Sequence, residues 1–162
     1  MRKMKILIIS DTHGRRDPLG SIIKAEKPFD LLLHCGDVEG DEEVIAQAAG
    51  CPAKFVAGNN DYFSDLPGEM DLRIGRYKVW MTHGHHYYVS MNTVVLKQEA
   101  RLKEADIVLY GHTHRPDIDI ASDLTVINPG SLAYPRTPDR RPSYVIMELD
   151  ENGEAHFTLK TY

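Results

Sequence analysis

The run Lys5-Ile6-Leu7-Ile8-Ile9-Ser10-Asp11-Thr12-His13 decides how this chain is read. A short apolar stretch that stops at Ser-Asp has the pattern of a strand buried on both faces. Similar runs follow at 30–34 and 54–57. Helical signals lie between them. Asp17-Pro18 offers an N-cap followed by proline at the first helical position, which predicts a helix over about 18–25. Residues 41–49 predict a second helix, stopped by Gly50 and Pro52. The order β-α-β-α-β favours a parallel sheet with right-handed crossovers.

The second half is richer in strands. Segments 72–74 and 77–81 flank Gly75-Arg76, a plausible hairpin turn. A helix is predicted over 92–103, with Val94, Val95 and Ala100 among its apolar positions. A strand is predicted at 107–110, and strand pairs at 118–121 with 124–127 and at 144–149 with 155–159. The last pair brackets the turn signal Asn152-Gly153. The expected class is α/β, with two packed mixed β-sheets flanked by helices.

The chain has 162 residues, 42% hydrophobic and 27% charged. That is the size and balance of one folded domain, expected to span 1–162. Cys35 and Cys51 are too few for a disulfide scaffold and read as small buried residues of a reducing compartment. No apolar run is long enough to cross a membrane. The apolar run after the basic N-terminus, Ile6 to Ile9, is too short for a secretory leader, so the expected location is cytoplasmic. A net charge of −5 gives no general attraction for long nucleic acid or an anionic membrane.

Eight histidines is a high count, and they cluster at the ends of the predicted strands. The polar groups there form a series: Asp11-Thr12-His13, Gly36-Asp37, Gly58-Asn59-Asn60-Asp61, His83-Gly84-His85 and Gly111-His112-Thr113-His114. In open α/β sheets, ligand sites gather at the carboxyl ends of strands. Alternate side chains of an extended segment point the same way, so Asp11 with His13, and His112 with His114, can each grip one ion. Imidazole nitrogens and carboxylate oxygens without thiolates suit Mn, Fe, Co, Ni or Zn. Seven ligand-grade side chains exceed one tetrahedral zinc and fit two ions sharing a bridging carboxylate. One such turn would be an ordinary helix cap or loop. Five at successive strand ends need a common cause.

This series resembles the calcineurin-like metallophosphoesterase superfamily. The family pattern runs Asp-x-His, Gly-Asp, Gly-Asn-His-Asp or Glu, a later His, and Gly-His-x-His. Length and spacing resemble its short, cap-less, YfcE-like phosphodiesterase branch, and Asn128-Pro129-Gly130-Ser131 matches a late loop of the family. The resemblance implies a four-layer αββα sandwich. It implies that Asp11, His13 and His114 hold a first ion, that Asn59, His83 and His112 hold a second, and that Asp37 bridges them. Manganese comes first among the metals considered, with Ni, Co, Fe and Zn as alternatives. The implied reaction is hydrolysis of small phosphodiesters, by in-line attack of a hydroxide held between the ions.

One motif departs from the pattern. Asn60 stands where the family often has a histidine that protonates the leaving group or holds a phosphoryl oxygen. An amide donates a hydrogen bond but is no general acid at neutral pH. His85, beside His83, is the candidate to replace the missing proton source. Arg115 is a candidate to bind the substrate phosphate together with Asn60, and Arg136, Arg140 and Arg141 could clamp it from the rim. Asp61 is expected to orient a ligand imidazole, and Tyr87 and Tyr88 to be aromatic core.

Two other readings stand beside this one. The retromer scaffold subunit shares the implied fold, has lost metal ligands, and binds protein partners. Cyclic-nucleotide or short-oligonucleotide phosphodiesterases would use the same ligands. All seven assigned positions here carry ligand-competent side chains, which favours an enzyme. The lack of a cap leaves surface for self-association.

Overall fold

The computed structural model describes residues 2–162. Ten strands and three α-helices follow in the order β1 (Met4–Ile9), α1 (Leu19–Glu26), β2 (Leu31–His34), α2 (Glu42–Ala49), β3 (Ala53–Phe55), β4 (Glu69–Ile74), β5 (Tyr77–Thr82), α3 (Val94–Leu102), β6 (Ile107–Leu109), β7 (Asp117–Ile120), β8 (Thr125–Asn128), β9 (Ser143–Leu149) and β10 (Ala155–Thr161). They form two five-stranded sheets, ordered β10-β9-β1-β2-β3 and β4-β5-β6-β8-β7. β1, β2 and β3 run parallel, as do β5, β6 and β8, while the remaining pairings are antiparallel. The expected pair of mixed sheets flanked by helices is what forms.

The period of two along each strand explains the layering. On β1, Ile6 and Ile8 face the second sheet and pack with Val79, Met81, Ile107 and Leu109. Leu7 and Ile9 face the other way, onto Leu19, Ile22 and Ile23 of α1 and Ile45 of α2. Behind the second sheet, Trp80 and Val108 pack on Leu96 and Ala100 of α3. Four layers result, α1/α2, sheet, sheet and α3. Burying a side chain such as Ile22 or Leu96 contributes about 1.5–3 kcal/mol.

Some local expectations shift. α1 begins at Leu19, and its N-cap is Pro18 rather than Asp17. α3 begins at Val94, because the Asn92 side-chain oxygen accepts the Val94 N–H and closes a local turn before the helix. A 3₁₀ turn at His85–Tyr87 was not foreseen. Tyr87 does pack edge-on against Trp80, but Tyr88 is 64% exposed, so only one of the two tyrosines is core. Cys35 is buried and Cys51 is only partly so, both as free thiols. Among the described residues no helix is long and apolar enough to cross a membrane.

Glu26 ties α1 to the sheet beside it. Its nearly buried carboxylate accepts bonds from Lys160 Nζ at 3.0 Å and Tyr144 Oη at 3.2 Å. Burial would raise its pKa, but bonding to Lys160 outweighs this and lowers it. The linked stabilisation is therefore full above the ordinary glutamate value of 4.5 and is lost as pH falls through the lower folded value. Glu26→Ala should cost about 1–3 kcal/mol at pH 7, read from the urea midpoint. The gap between variant and wild type should narrow on acidification below pH ~4. A gap independent of pH would contradict the assignment.

Candidate metal centre

The parallel strands set the site. Asp11 and His13 follow β1, Asp37 follows β2, and Asn59 and Asn60 follow β3. His83 follows β5, and His112 and His114 follow β6. All these carboxyl ends open on one rim between the two sheets. The loops there are held in uncommon backbone. Asp11, His13, Asp37, His112 and His114 all have positive φ, between 49° and 72°. Such residues cost of order 1–3 kcal/mol each and persist only where the surroundings impose them. Gly36 is required at φ 108°, where a Cβ would stand 2.6 Å from His83 Nδ1.

The hydrogen bonds fix which atoms face inward. His114 Nδ1 lies 2.7 Å from the Tyr134 carbonyl, and His83 Nδ1 lies 2.7 Å from the Cys35 carbonyl. A carbonyl only accepts, so each Nδ1 carries a proton, and in the neutral ring each Nε2 presents a lone pair. His13 Nδ1 faces the Glu39 carboxylate at 3.3 Å, which fixes the same tautomer. These lone pairs point at other acceptors. His13 Nε2 and His114 Nε2 are 3.2 Å apart. His114 Nε2 is 3.1 Å from Asp11 Oδ1, a buried oxygen with no hydrogen-bond donor. His83 Nε2 is 3.0 Å from Asn59 Oδ1, which also meets His112 Nδ1 at 3.1 Å. Asp37 Oδ2 lies 3.7 Å from His13 Nε2 on one side and 3.4 Å from His83 Nε2 on the other.

Acceptors facing acceptors at hydrogen-bond distance repel unless positive charge lies among them. Two such groups, Asp11-His13-His114 and Asp11-Asp37-His83, have ligand atoms close enough to share an ion. The carboxylates and imidazoles of the cluster also perturb one another. Burial would raise the Asp11 pKa, yet the imidazoles of His114, His13 and His83 around it hold it well below the usual carboxylate range. Asp37 is lowered as well, burial being outweighed by His83. His13 and His83 are raised, although burial alone would depress both.

Several residues support this cluster. The buried His34 accepts from Gly36 N–H at Nδ1, so its Nε2–H donates to Thr12 Oγ1 at 2.9 Å and joins the first two loops. Burial drives the His34 pKa down to about 4, keeping it neutral. Asp61 touches no ligand imidazole, contrary to expectation. Its carboxylate accepts the backbone N–H groups of Asp37, Val38, Glu39 and Gly58, at 2.7–3.3 Å. It thus shapes the loop that carries Asp37. Replacing it with Asn60's neutral amide chemistry, as Asp61→Asn, should lower metal affinity about 10–100-fold while the chain still folds. Calorimetric titration with Mn²⁺ checks this, and unchanged affinity would show that Asp61 does not support the ligands.

Sequence reasoning missed three supports. Glu39 and the Tyr134 and Cys35 carbonyls orient imidazoles, and backbone carbonyls leave no mark in a sequence. Ser131 had a signal, its place in Asn128-Pro129-Gly130-Ser131. Its buried hydroxyl donates to the Asp11 carbonyl at 2.8 Å and accepts the Ala133 and Tyr134 N–H groups.

The remaining predicted residues lie around the cluster. The Asn60 side chain is turned inward, its Nδ2 donating to Asp37 Oδ2 at 3.0 Å and its backbone N–H to Asp37 Oδ1 at 2.9 Å. His85 packs 5.4 Å from His83 and 4.0 Å from His86, ring centre to ring centre, and its buried Nδ1 has no partner. Arg115 is exposed beside His114.

Comparison with known proteins gives one consistent answer. Residues 4–152 match the calcineurin-like phosphoesterase superfamily domain. A probable metallophosphoesterase of Bacillus subtilis is 35% identical over 151 residues, covering 93% of this chain and 87% of that one. A phosphodiesterase of Methanocaldococcus jannaschii is 34% identical over 148 residues, covering 78% and 83%. Among solved structures, a predicted phosphoesterase from Streptococcus pneumoniae superposes with a TM-score of 0.80 at 26% identity, covering 100% of this chain and 99% of that one. Vacuolar protein sorting 29 from Cryptosporidium parvum superposes at 0.76 with 22% identity, covering 99% and 98%, a likeness of fold alone.

Proposed function

Because this chain belongs to the calcineurin-like phosphoesterase superfamily, we propose that it hydrolyses small phosphodiesters at a centre of two divalent transition-metal ions. The observation that carries this reading is the set of lone pairs facing one another at the rim. Asp11, His13 and His114 would hold one ion, Asn59, His83 and His112 the other, and Asp37 both. Carboxylate, amide and imidazole donors without thiolate suit Mn, Ni, Co, Fe or Zn, and manganese is the first choice to test among them. Such ions supply a nucleophile from solvent at neutral pH and positive charge for the phosphoryl oxygens.

The residues of the chain set what that charge can do. Asp11 and Asp37 return only two negative charges, so the loaded site stays positive within a protein of net charge −5. A phosphate ester can therefore bind without a broad basic surface, and the acidic balance favours small substrates over long nucleic acid. Cyclic and short nucleotide diesters belong to that class. A scaffold binding partners through its surface has no physical use for buried acceptors held in costly backbone. We read residues 1–162 as one working domain, placed in the cytoplasm in keeping with its free thiols.

Asn60 and His85 shape the leaving-group preference. Asn60 can orient a phosphoryl oxygen or Asp37 by hydrogen bonding, but it brings no acidic proton. His85 is the imidazole nearby, but burial and the neighbouring His86 push its pKa down to about 4, so it carries a proton to pass only on acidification. Diesters and aryl esters should therefore outrun alkyl monoesters. Asn60→His should raise the alkyl/aryl rate ratio by ~10-fold or more, since general acid catalysis contributes 10²–10⁴-fold. His85→Gln should lower it only on acidification, toward pH ~5, and leave it unchanged at neutral pH. If the ratio is unmoved in Asn60→His, the leaving-group argument fails.

A further inference from the structure

We propose that the loop after His114 and the loop at 135–140 form a second anion subsite, which takes a distal phosphate of a substrate carrying two or more phosphate groups. This deepens the phosphodiesterase reading and rests on it for the catalytic half. Arg115, Arg136 and Arg140 line one open cavity of about 670 Å³, together with Pro116, Pro135 and Pro138. That volume is in the range of small-ligand sites. No carboxylate lines this cavity, and none of the three arginines has an ion-pair partner among the described residues. In a chain with 24 acidic and 19 basic residues, three unpaired guanidinium groups around one cavity leave a concentrated positive charge. The nearest acid on the loop, Asp139, is engaged by Thr137 Oγ1 at 2.6 Å and the Arg141 N–H at 3.2 Å.

The cavity is also fixed to the metal centre. Arg115 follows His114 directly, and the Arg136 N–H donates to the His114 carbonyl at 3.0 Å. The prolines stiffen the two loops, so ordering them around a ligand costs little entropy. The wall of Arg115 and Arg136 is shared with a second cleft of about 430 Å³, whose lining includes Asp117. Guanidinium groups match phosphate oxygens in paired hydrogen bonds. A phosphate seated among them, with the scissile phosphate at the adjacent ligands, requires a substrate with phosphates at both ends of a short spacer. A nucleotide with a phosphate on each side of its sugar has that form.

The test compares thymidine 5′-(p-nitrophenyl phosphate) with the same ester bearing a 3′-phosphate, using wild type and the double variant Arg136→Gln/Arg140→Gln. Both substituted side chains are exposed, so the variant should fold. Wild type should prefer the 3′-phosphorylated ester by about 10-fold in kcat/KM, and the variant should lose most of that preference, chiefly through KM. Binding of inorganic pyrophosphate by the same full-length proteins, measured by calorimetry, should weaken at least ~5-fold in the variant and weaken further with salt. An equal preference in wild type and variant, or equal pyrophosphate binding, overturns the subsite. Pyrophosphate binding that depends on the arginines, without hydrolysis of either ester, would sustain the subsite and sink the phosphodiesterase reading.

Discussion

Asp37→Ala is expected to remove both metal ions and lower phosphodiesterase kcat/KM by on the order of 10³-fold or more. Asp37 Oδ2 stands between His13 and His83, within 3.7 Å of one and 3.4 Å of the other, so its loss opens both halves of the cluster. The same carboxylate accepts both the side-chain and backbone N–H groups of Asn60, and the variant frees that loop as well. His114→Ala should behave differently. His114 meets only Asp11 and His13 within the cluster, so its loss should deplete mainly one ion. Elemental analysis of both proteins, purified without chelator, gives the comparison. Loss of a single ion in each variant would count against Asp37 as the bridge.

Chelation should have an effect on stability as large as its effect on turnover. A ligand that binds only the folded chain at 100 times its Kd adds about 2.7 kcal/mol, so two ions add about 5 kcal/mol. For a chain of this size each kcal/mol moves Tm by about 2–4 °C, which predicts a loss of ~10–20 °C with chelator. The site itself supplies the reason. Five of its residues hold positive φ and its inward atoms are acceptors, so the bare cluster is locally unfavourable and the ions offset it. Mn²⁺ should restore both Tm and activity. A Tm indifferent to chelator and to Mn²⁺ would show that the cluster does not bind ions strongly.

The fold was legible because its strands announce themselves. Ile6 to Ile9 and Ile107 to Leu109 are uninterrupted apolar runs, the mark of strands covered on both faces. The ends of helices were less legible, since Pro18 stands as N-cap in place of Asp17 and Asn92 closes a turn through its side-chain oxygen, local details that propensity does not record. That the candidate ligands would meet was legible for a related reason: each follows a strand, and parallel strands deliver their ends to one rim. Supporting contacts were not. Asp61 was expected to hold an imidazole, but it is bound by four peptide N–H groups, three of them on a loop 22–24 residues away in sequence. The inward turn of Asn60 depends likewise on where Asp37 stands, which its own segment cannot reveal.

Anomalous diffraction from crystals grown with Mn²⁺ locates any bound ions. Two manganese peaks per chain are expected, with Asp37 touching both, His114 one and His83 the other. A single peak, peaks elsewhere on the surface, or none at saturating Mn²⁺ would contradict a two-ion centre bridged by Asp37.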